Sequence, residues 1–168
     1  PADLWPVEVD GDQISQLIQN LILNAYQAMP DGGVIKVSAR NVEVSPQNRM
    51  WLQPGHYVRV EIEDQGPGIP AEMLTKIFDP YFTTKKEGHG LGLSSSYYII
   101  QNHDGYLGVQ SRVGEGSTFY FYLPAATARP VGEKKGKKSF CLQGKGKVLL
   151  MDDEPLIRSS LREYLERC

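Results

Sequence analysis

From Ile14 to Met29 the apolar residues recur at helical spacing, with Ile14, Leu17, Ile18, Leu21, Ala25 and Ala28 gathered toward one face. Asp10 with Gln13 three residues later is a D-x-x-Q capping box that starts this helix, and "PDGG" stops it. The period then changes to two. "VIKVSARNVEV" and "HYVRVEIED" alternate as half-buried strands, the second with Val58, Val60 and Ile62 on one face. Residues 45–55 form a loop between them, and "VEVD", ahead of the helix, reads as a short strand start. "QGPGIP" is a Gly/Pro loop, after which Pro70 opens a short helix over "AEMLTKIF". "DPYFTTKKEGHG" is irregular; helix signals return from Leu91 to Asn102 and end at "HDG". "YLGVQSR" and "STFYFYLP" then form a hairpin across "VGEG". Helices interleaved with antiparallel-looking strands predict a two-layer α/β sandwich.

Charge divides the chain. Residues 1–125 carry −6, residues 126–147 carry +6 and residues 148–168 carry −2. The middle block, "ATARPVGEKKGKKSFCLQGKGK", is rich in Gly and Lys and lacks apolar periodicity, so it is expected to be a flexible linker between a first domain at 1–125 and a second unit at 148–168. Its lysines have no interleaved aromatics beyond Phe140, and no nucleic-acid partner is expected. The apolar fraction of 40% suits a packed core, and no apolar run approaches the ~20 residues of a membrane span. The N-terminal "PADLWPVEVDG" lacks signal-peptide character, and the two cysteines, Cys141 and Cys168, lack metal spacing. A reduced, cytoplasmic setting is expected.

The first helix carries an oddity. Gln13, Gln16, Asn20, Asn24 and Gln27 line one stripe, and no charged residue occurs from Gln13 to Met29. Surfaces more often use Lys and Glu. The stripe reads equally as a polar surface, as a satisfied buried hydrogen-bond network, or as neutral oxygens beside a hard cation such as Mg²⁺. Further on, "EDQGPGIP" puts Asp64 at a strand end before Gly66 and Gly68, where a carboxylate can accept from an exocyclic amine and backbone can approach a flat ligand. An ordinary Asp-Gly-Pro turn would look the same. "GHGLGLS" sets Gly88, Gly90 and Gly92 before a helix, offering N–H groups to phosphate, although glycine before a helix is common. "GEGSTFYFYLP" adds Gly114, Gly116 and Thr118 ahead of a strand.

Taken in order, "NLILNA", "DQGPGIP", "FDPYFTTK", "GHGLGL" and "GEGSTF" resemble the ATP-binding catalytic domain of sensor histidine kinases, in the Bergerat-fold (GHKL) superfamily. The resemblance covers residues 1–125 and implies a mixed sheet of four or five strands, helices on one face, and ATP with Mg²⁺ on the helical side. It implies that Asn24 ligates Mg²⁺ and that Asn20, one turn earlier, lies near the phosphates. Asp64 would read the adenine amino group, which disfavours guanine, with Thr118 supporting that contact and Gly66 and Gly68 beside the base. Phe78 and Phe82 would anchor a mobile lid while also packing in the core. Lys85 would be a phosphate ligand, with Lys86 a second candidate. Gly88, Gly90 and Gly92 would form the lid hinge and phosphate turn, and Ile69, Thr84, Leu91 and Leu93 would complete the nucleotide pocket. Asn20, Asn24 and Lys85 are thus the catalytic candidates. His89 stands where the family often has threonine; it reads as an exposed lid residue, and a protonated histidine there could also bind phosphate. His56 and His103 read as structural.

The end of the chain, "KVLLMDDEPLIRSSLREYLERC", resembles the first strand and helix of a response-regulator receiver domain, in which Asp152 and Asp153 would belong to an acidic Mg²⁺ pair. The whole is therefore expected to be part of a hybrid histidine kinase. Its partners would be an upstream, dimerising domain that bears the accepting histidine, and a receiver domain. A homodimer is expected for the parent protein, which could be membrane-anchored upstream. Two alternatives remain: a GHKL-type ATPase, and a nucleotide-binding regulator without transfer activity. Such ATPases typically have a glutamate base one turn before the metal asparagine; here that residue is Asn20, which cannot take a proton.

Overall fold

In the computed structural model the described residues are 3–47, 52–84 and 89–126. All belong to the first of the two units into which the chain divides, Pro1–Ala128. Lys85, Lys86 and Gly88, nearly all of the expected linker, and the receiver-like segment with Asp152 and Asp153 lie outside the described residues.

Helix α1 spans Gly11–Ala28 and helix α2 Gly92–Gln101. The strands are β1 (Lys36–Val44), β2 (Gly55–Asp64), β3 (Tyr106–Arg112) and β4 (Gly116–Pro124). They form one sheet in the order β1-β2-β4-β3. Every neighbouring pair is antiparallel, so the mixed sheet implied by the resemblance is corrected to an antiparallel one. The cause is local: β1 with β2, and β3 with β4, pair as consecutive antiparallel strands, and β4 then returns against β2.

Asp10 caps α1, its Oδ1 accepting the Asp12 and Gln13 N–H groups at 3.1 and 3.4 Å. The return half of the expected capping box is made differently. The Asp10 N–H donates not to Gln13 but to His103 Nε2, at 3.0 Å. His103 Nδ1 lies 2.7 Å from the Ile99 carbonyl, so Nδ1 carries the proton and Nε2 is the acceptor. His103 thus ties the start of α1 to the end of α2, which is the structural role expected for it.

Two shorter elements differ from expectation. "VEVD" contributes only an isolated bridge, Val7 to Ala125. The helix expected over "AEMLTKIF" is a single 3₁₀ turn, Ala71–Met73, followed by turns. A segment this short gains few intrahelical bonds, and the core takes its apolar side chains instead: Ile77 is buried, with Met73 and Phe78 packed beside it.

The helices cover one face of the sheet. Leu17, Leu21 and Ile100 are fully enclosed there against Ile62, Phe119 and Phe121. Truncating any one of these to Ala would cost about 2–5 kcal/mol. The other face holds a smaller cluster of Val44, Leu52, Tyr57 and Tyr122. Arg59 lies over the Tyr120 ring there, 4.6 Å from its centroid. Burial, reinforced by Tyr106 and Tyr122, raises the Tyr120 pKa above the usual tyrosine value. The edge strand β1 is largely exposed, with Val37 at 54%, so its expected half-burial is only partly realised. Among the described residues no helix is long and apolar enough to cross a membrane.

Candidate functional site

Between α1, the end of β2, the segment 67–84 and the start of α2 lies a cavity of about 500 Å³. That volume is in the range of small-molecule sites.

Asp64 stands at one end. It is the last residue of β2 and only 4% exposed. Its Oδ1 accepts the Gly66 N–H at 2.9 Å. Gly66 does not line the cavity; it orients the carboxylate, and a Cβ at this position would sit 2.9 Å from Oδ1. Gly68 and Ile69 do line the cavity. Gly68 has φ +73°, and a Cβ there would lie 2.0 Å from the Arg112 carbonyl oxygen, so only glycine fits this turn. The loop is held to the β3–β4 hairpin twice. The Ile69 N–H donates to Ser111 Oγ at 2.8 Å, and the Gly114 N–H to the Pro67 carbonyl at 2.8 Å.

Thr118, expected to support Asp64, does not line the cavity; Ser117 does. Neighbouring strand residues face opposite sides. Ser117 and Phe119 share the cavity side of β4, Ser117 directly opposite Asp64 in the register, so Thr118 is turned away. This corrects the sequence expectation. The signal was available: Phe119, Phe121 and Leu123 mark the apolar face, and counting back by two reaches Ser117.

The amides of α1 form another wall. Asn20 and Asn24 both line the cavity and are half-buried. Asn20 Nδ2 donates to the Gly92 carbonyl at 3.2 Å and to Ser96 Oγ at 3.4 Å. The amide nitrogen is thus spent on joining α1 to α2, and Oδ1 remains as its acceptor. Of the other members of the polar stripe, Gln27 lines the cavity while Gln13 and Gln16 do not. Leu23, exposed on the same helix, lines it as well.

The start of α2 opens onto the same space. Gly90, Leu91, Gly92 and Leu93 all line it, and Leu91 at the N-cap supplies no side-chain cap to the first turn. An uncapped helix N-terminus beside a cavity offers N–H groups to an anion. Phe82, Thr84 and His89 also line the cavity. Phe78 does not; it packs on Tyr97 with ring centroids 5.9 Å apart. The loop carrying these residues closes at its foot, where the Tyr81 N–H donates to the Gly90 carbonyl at 3.0 Å. Both foot residues adopt positive φ, Tyr81 at 66° and Gly90 at 66°.

An antiparallel sheet backed by helices, with the Asp64 carboxylate and an uncapped helix start around the same cavity, points to a nucleotide-binding class of ATPase. The family model described as histidine kinase-, DNA gyrase B-, and HSP90-like ATPase matches residues 9–127, and the chain belongs to that family. Among curated relatives, the sensor kinase CckA of Brucella abortus (strain 2308) is 43% identical over 169 residues, covering 93% of this chain and 18% of that protein. The sensor histidine kinase ZraS of Escherichia coli (strain K12) is 41% identical over 123 residues, covering 73% of this chain and 24% of that protein. The chain thus spans less than a quarter of the length of these relatives. Among solved structures, the nucleotide-free catalytic domain of histidine kinase ThkA is 37% identical with a TM-score of 0.57, covering 71% of this chain and 70% of that one. Full-length ShkA in complex with AMPPNP is 26% identical with a TM-score of 0.59, covering 74% of this chain and 24% of that one.

Proposed function

We propose that residues 1–125 are the ATP-binding catalytic domain of a sensor histidine kinase, passing the γ-phosphate of ATP to a histidine on an upstream dimerisation domain. The observation that carries this reading is the polarity of the cavity. The buried Asp64 carboxylate suits an exocyclic amine, while the α1 amides and the uncapped start of α2 suit a triphosphate. The sensor kinases among the relatives and the AMPPNP carried by ShkA support it.

The residues present fit a hard divalent cation. Asn24 would lend an amide oxygen, and the phosphates would supply most of the remaining ligands, as Mg²⁺ commonly requires. The cation would neutralise charge developing on the transferred group. Phosphoryl transfer needs positioning and charge stabilisation more than covalent help from protein. Asp64 orients the base, Asn20 holds α1 against α2, and the α2 amides face the phosphates. Lys85 is the further phosphate ligand in this reading. The competing hydrolase reading is weakened by Asn20, whose nitrogen is already spent on Gly92 and which cannot act as a base.

The tail belongs to the same proposal. Similarity to the CckA relative covers 93% of the chain and so continues past residue 127, where the family model stops. That supports reading 148–168 as the start of a receiver domain, after a linker at 126–147, in a hybrid kinase that works as a dimer.

The test is transfer from γ-labelled ATP to the upstream histidine-bearing hairpin, supplied as a separate protein. The chain alone should bind ATP, hydrolyse it slowly and not label itself. Asn24→Ala should cut transfer by about 100-fold, as loss of one transition-state contact does, while ATP affinity changes far less. Transfer at the wild-type rate by Asn24→Ala would leave Asn24 as a packing residue.

A further inference from the structure

We propose that Ser111, which does not line the cavity, is a positioning residue that sets purine specificity by fixing the direction of the Ser117 hydroxyl. The inference rests on the nucleotide reading above.

Ser111 Oγ has three polar neighbours: the Gly116 carbonyl oxygen at 2.8 Å, the Ile69 N–H at 2.8 Å and Ser117 Oγ at 3.0 Å. A hydroxyl has one proton and two lone pairs. The Gly116 carbonyl has no proton to give, so that contact takes the proton of Ser111. The Ile69 N–H takes one lone pair. Only a lone pair is left to face Ser117, so Ser117 must be the donor between the two hydroxyls.

Ser117 is 7% exposed, lines the cavity, and pairs with Asp64 across β2 and β4. Side chains directly opposite on neighbouring strands share a face, with Cβ atoms about 4.5–5.5 Å apart. With its proton turned toward Ser111, Ser117 offers only lone pairs to the cavity. The Asp64 carboxylate also only accepts, and its Oδ1 already takes the Gly66 N–H. Asp64 and Ser117 therefore present two side-chain acceptors to the cavity and no donor of their own. An exocyclic amine, with two N–H groups, satisfies both. A 6-oxo group would set a third acceptor against them after losing its water. Asp64 alone would disfavour the carbonyl; Ser111 makes Ser117 disfavour it too. Without the Ser111 hydroxyl, the Ser117 proton is free to rotate inward and meet a carbonyl.

The experiment is calorimetric titration of residues 1–168 with Mg·ATP and with Mg·ITP, whose base carries a carbonyl in place of the amine. The readout is the ratio of the two dissociation constants. In Ser111→Ala the preference for ATP should narrow by about 5-fold, the size of one hydrogen bond. Ser111→Thr, which keeps the hydroxyl, should keep the wild-type ratio. In a Ser117→Ala background, Ser111→Ala should no longer move the ratio, as coupling through Ser117 requires. Equal weakening of both nucleotides in Ser111→Ala would reduce Ser111 to a loop tether and overturn the proposal. If Ser111→Ala does not fold, Ser117→Ala decides by itself: an unchanged ratio overturns the proposal, a narrowed one supports it. Absence of ATP binding by the wild-type chain is a different result, which removes the nucleotide reading and this inference with it.

Discussion

The two ends of the cavity are built to different standards. At the Asp64 end the carboxylate is 4% exposed, the Gly66 N–H orients it, and the 65–70 loop is bonded to the hairpin at Ile69 and Pro67. Glycines at 68 and 116 let backbone approach within distances that a Cβ would forbid. At the other end Thr83, Thr84, His89 and Leu91 are all exposed, and the loop foot is held by the Tyr81–Gly90 bond. The first end is pre-organised, so its ordering cost is met on folding and not on binding. The second is open to solvent. On the function proposed above this division is sensible: the base is a constant, while the triphosphate would have to be gripped, presented and released.

The largest expected effect tests the ordered end. Asp64→Asn keeps shape but turns an amide nitrogen toward one of the donors that the carboxylate accepts. A hydrogen bond to a charged group is worth roughly 1.5–3 kcal/mol, so ATP affinity should fall about 10- to 150-fold. Titration calorimetry measures it. An unchanged dissociation constant would mean that the buried carboxylate is structural, and that the ordered end is not the base site.

The next prediction sets the two ends against each other by the same substitution. Gly68→Ala and Gly90→Ala each place a Cβ on a residue with positive φ, and each backbone strain costs about 1–3 kcal/mol. They differ in what surrounds them. The Gly68 Cβ would meet the Arg112 carbonyl at 2.0 Å, in a turn bonded to the hairpin on both sides. The Gly90 Cβ would meet Tyr81 backbone at 2.4 Å, a less close approach, at a residue that is 76% exposed. Gly68→Ala should therefore lower Tm by about 5–15 °C, and Gly90→Ala by clearly less. Thermal denaturation followed by circular dichroism would show it. Equal losses would mean that the foot at Tyr81 and Gly90 is as firmly held as the base loop.

The sequence revealed these ends unevenly, for physical reasons. Local rules read well: the Asp10 cap, α1 within a residue of each end, and the β3–β4 hairpin follow from side-chain chemistry and periods of 3.6 and 2. The motif order located Asp64, Asn20, Asn24 and the α2 start, and the structure gathers all four around one cavity. What escaped was tertiary. The Ser111 bond to Ile69 spans 42 positions and the His103 bond to Asp10 spans 93, and no local pattern announces either. Gln27 and Leu23 sat in plain view on α1, but only the position of the 67–84 segment makes them cavity walls. The exchange of Thr118 for Ser117 is another matter, a missed parity that strand alternation alone could have supplied.

The smallest expected effect belongs to the exposed end. His89 lines the cavity and is exposed. An interaction between an exposed side chain and a phosphate is screened by water and salt, unlike one at buried Asp64. His89→Ala should therefore change ATP affinity by less than about 3-fold, and raising the salt concentration should shrink even that difference. Calorimetric titration at two salt concentrations measures both. A tenfold, salt-insensitive loss would mean that His89 becomes desolvated once nucleotide is bound. The contrast between the ends would then be a property of the free protein only, and binding itself would bring the phosphate end to the order that the base end already has.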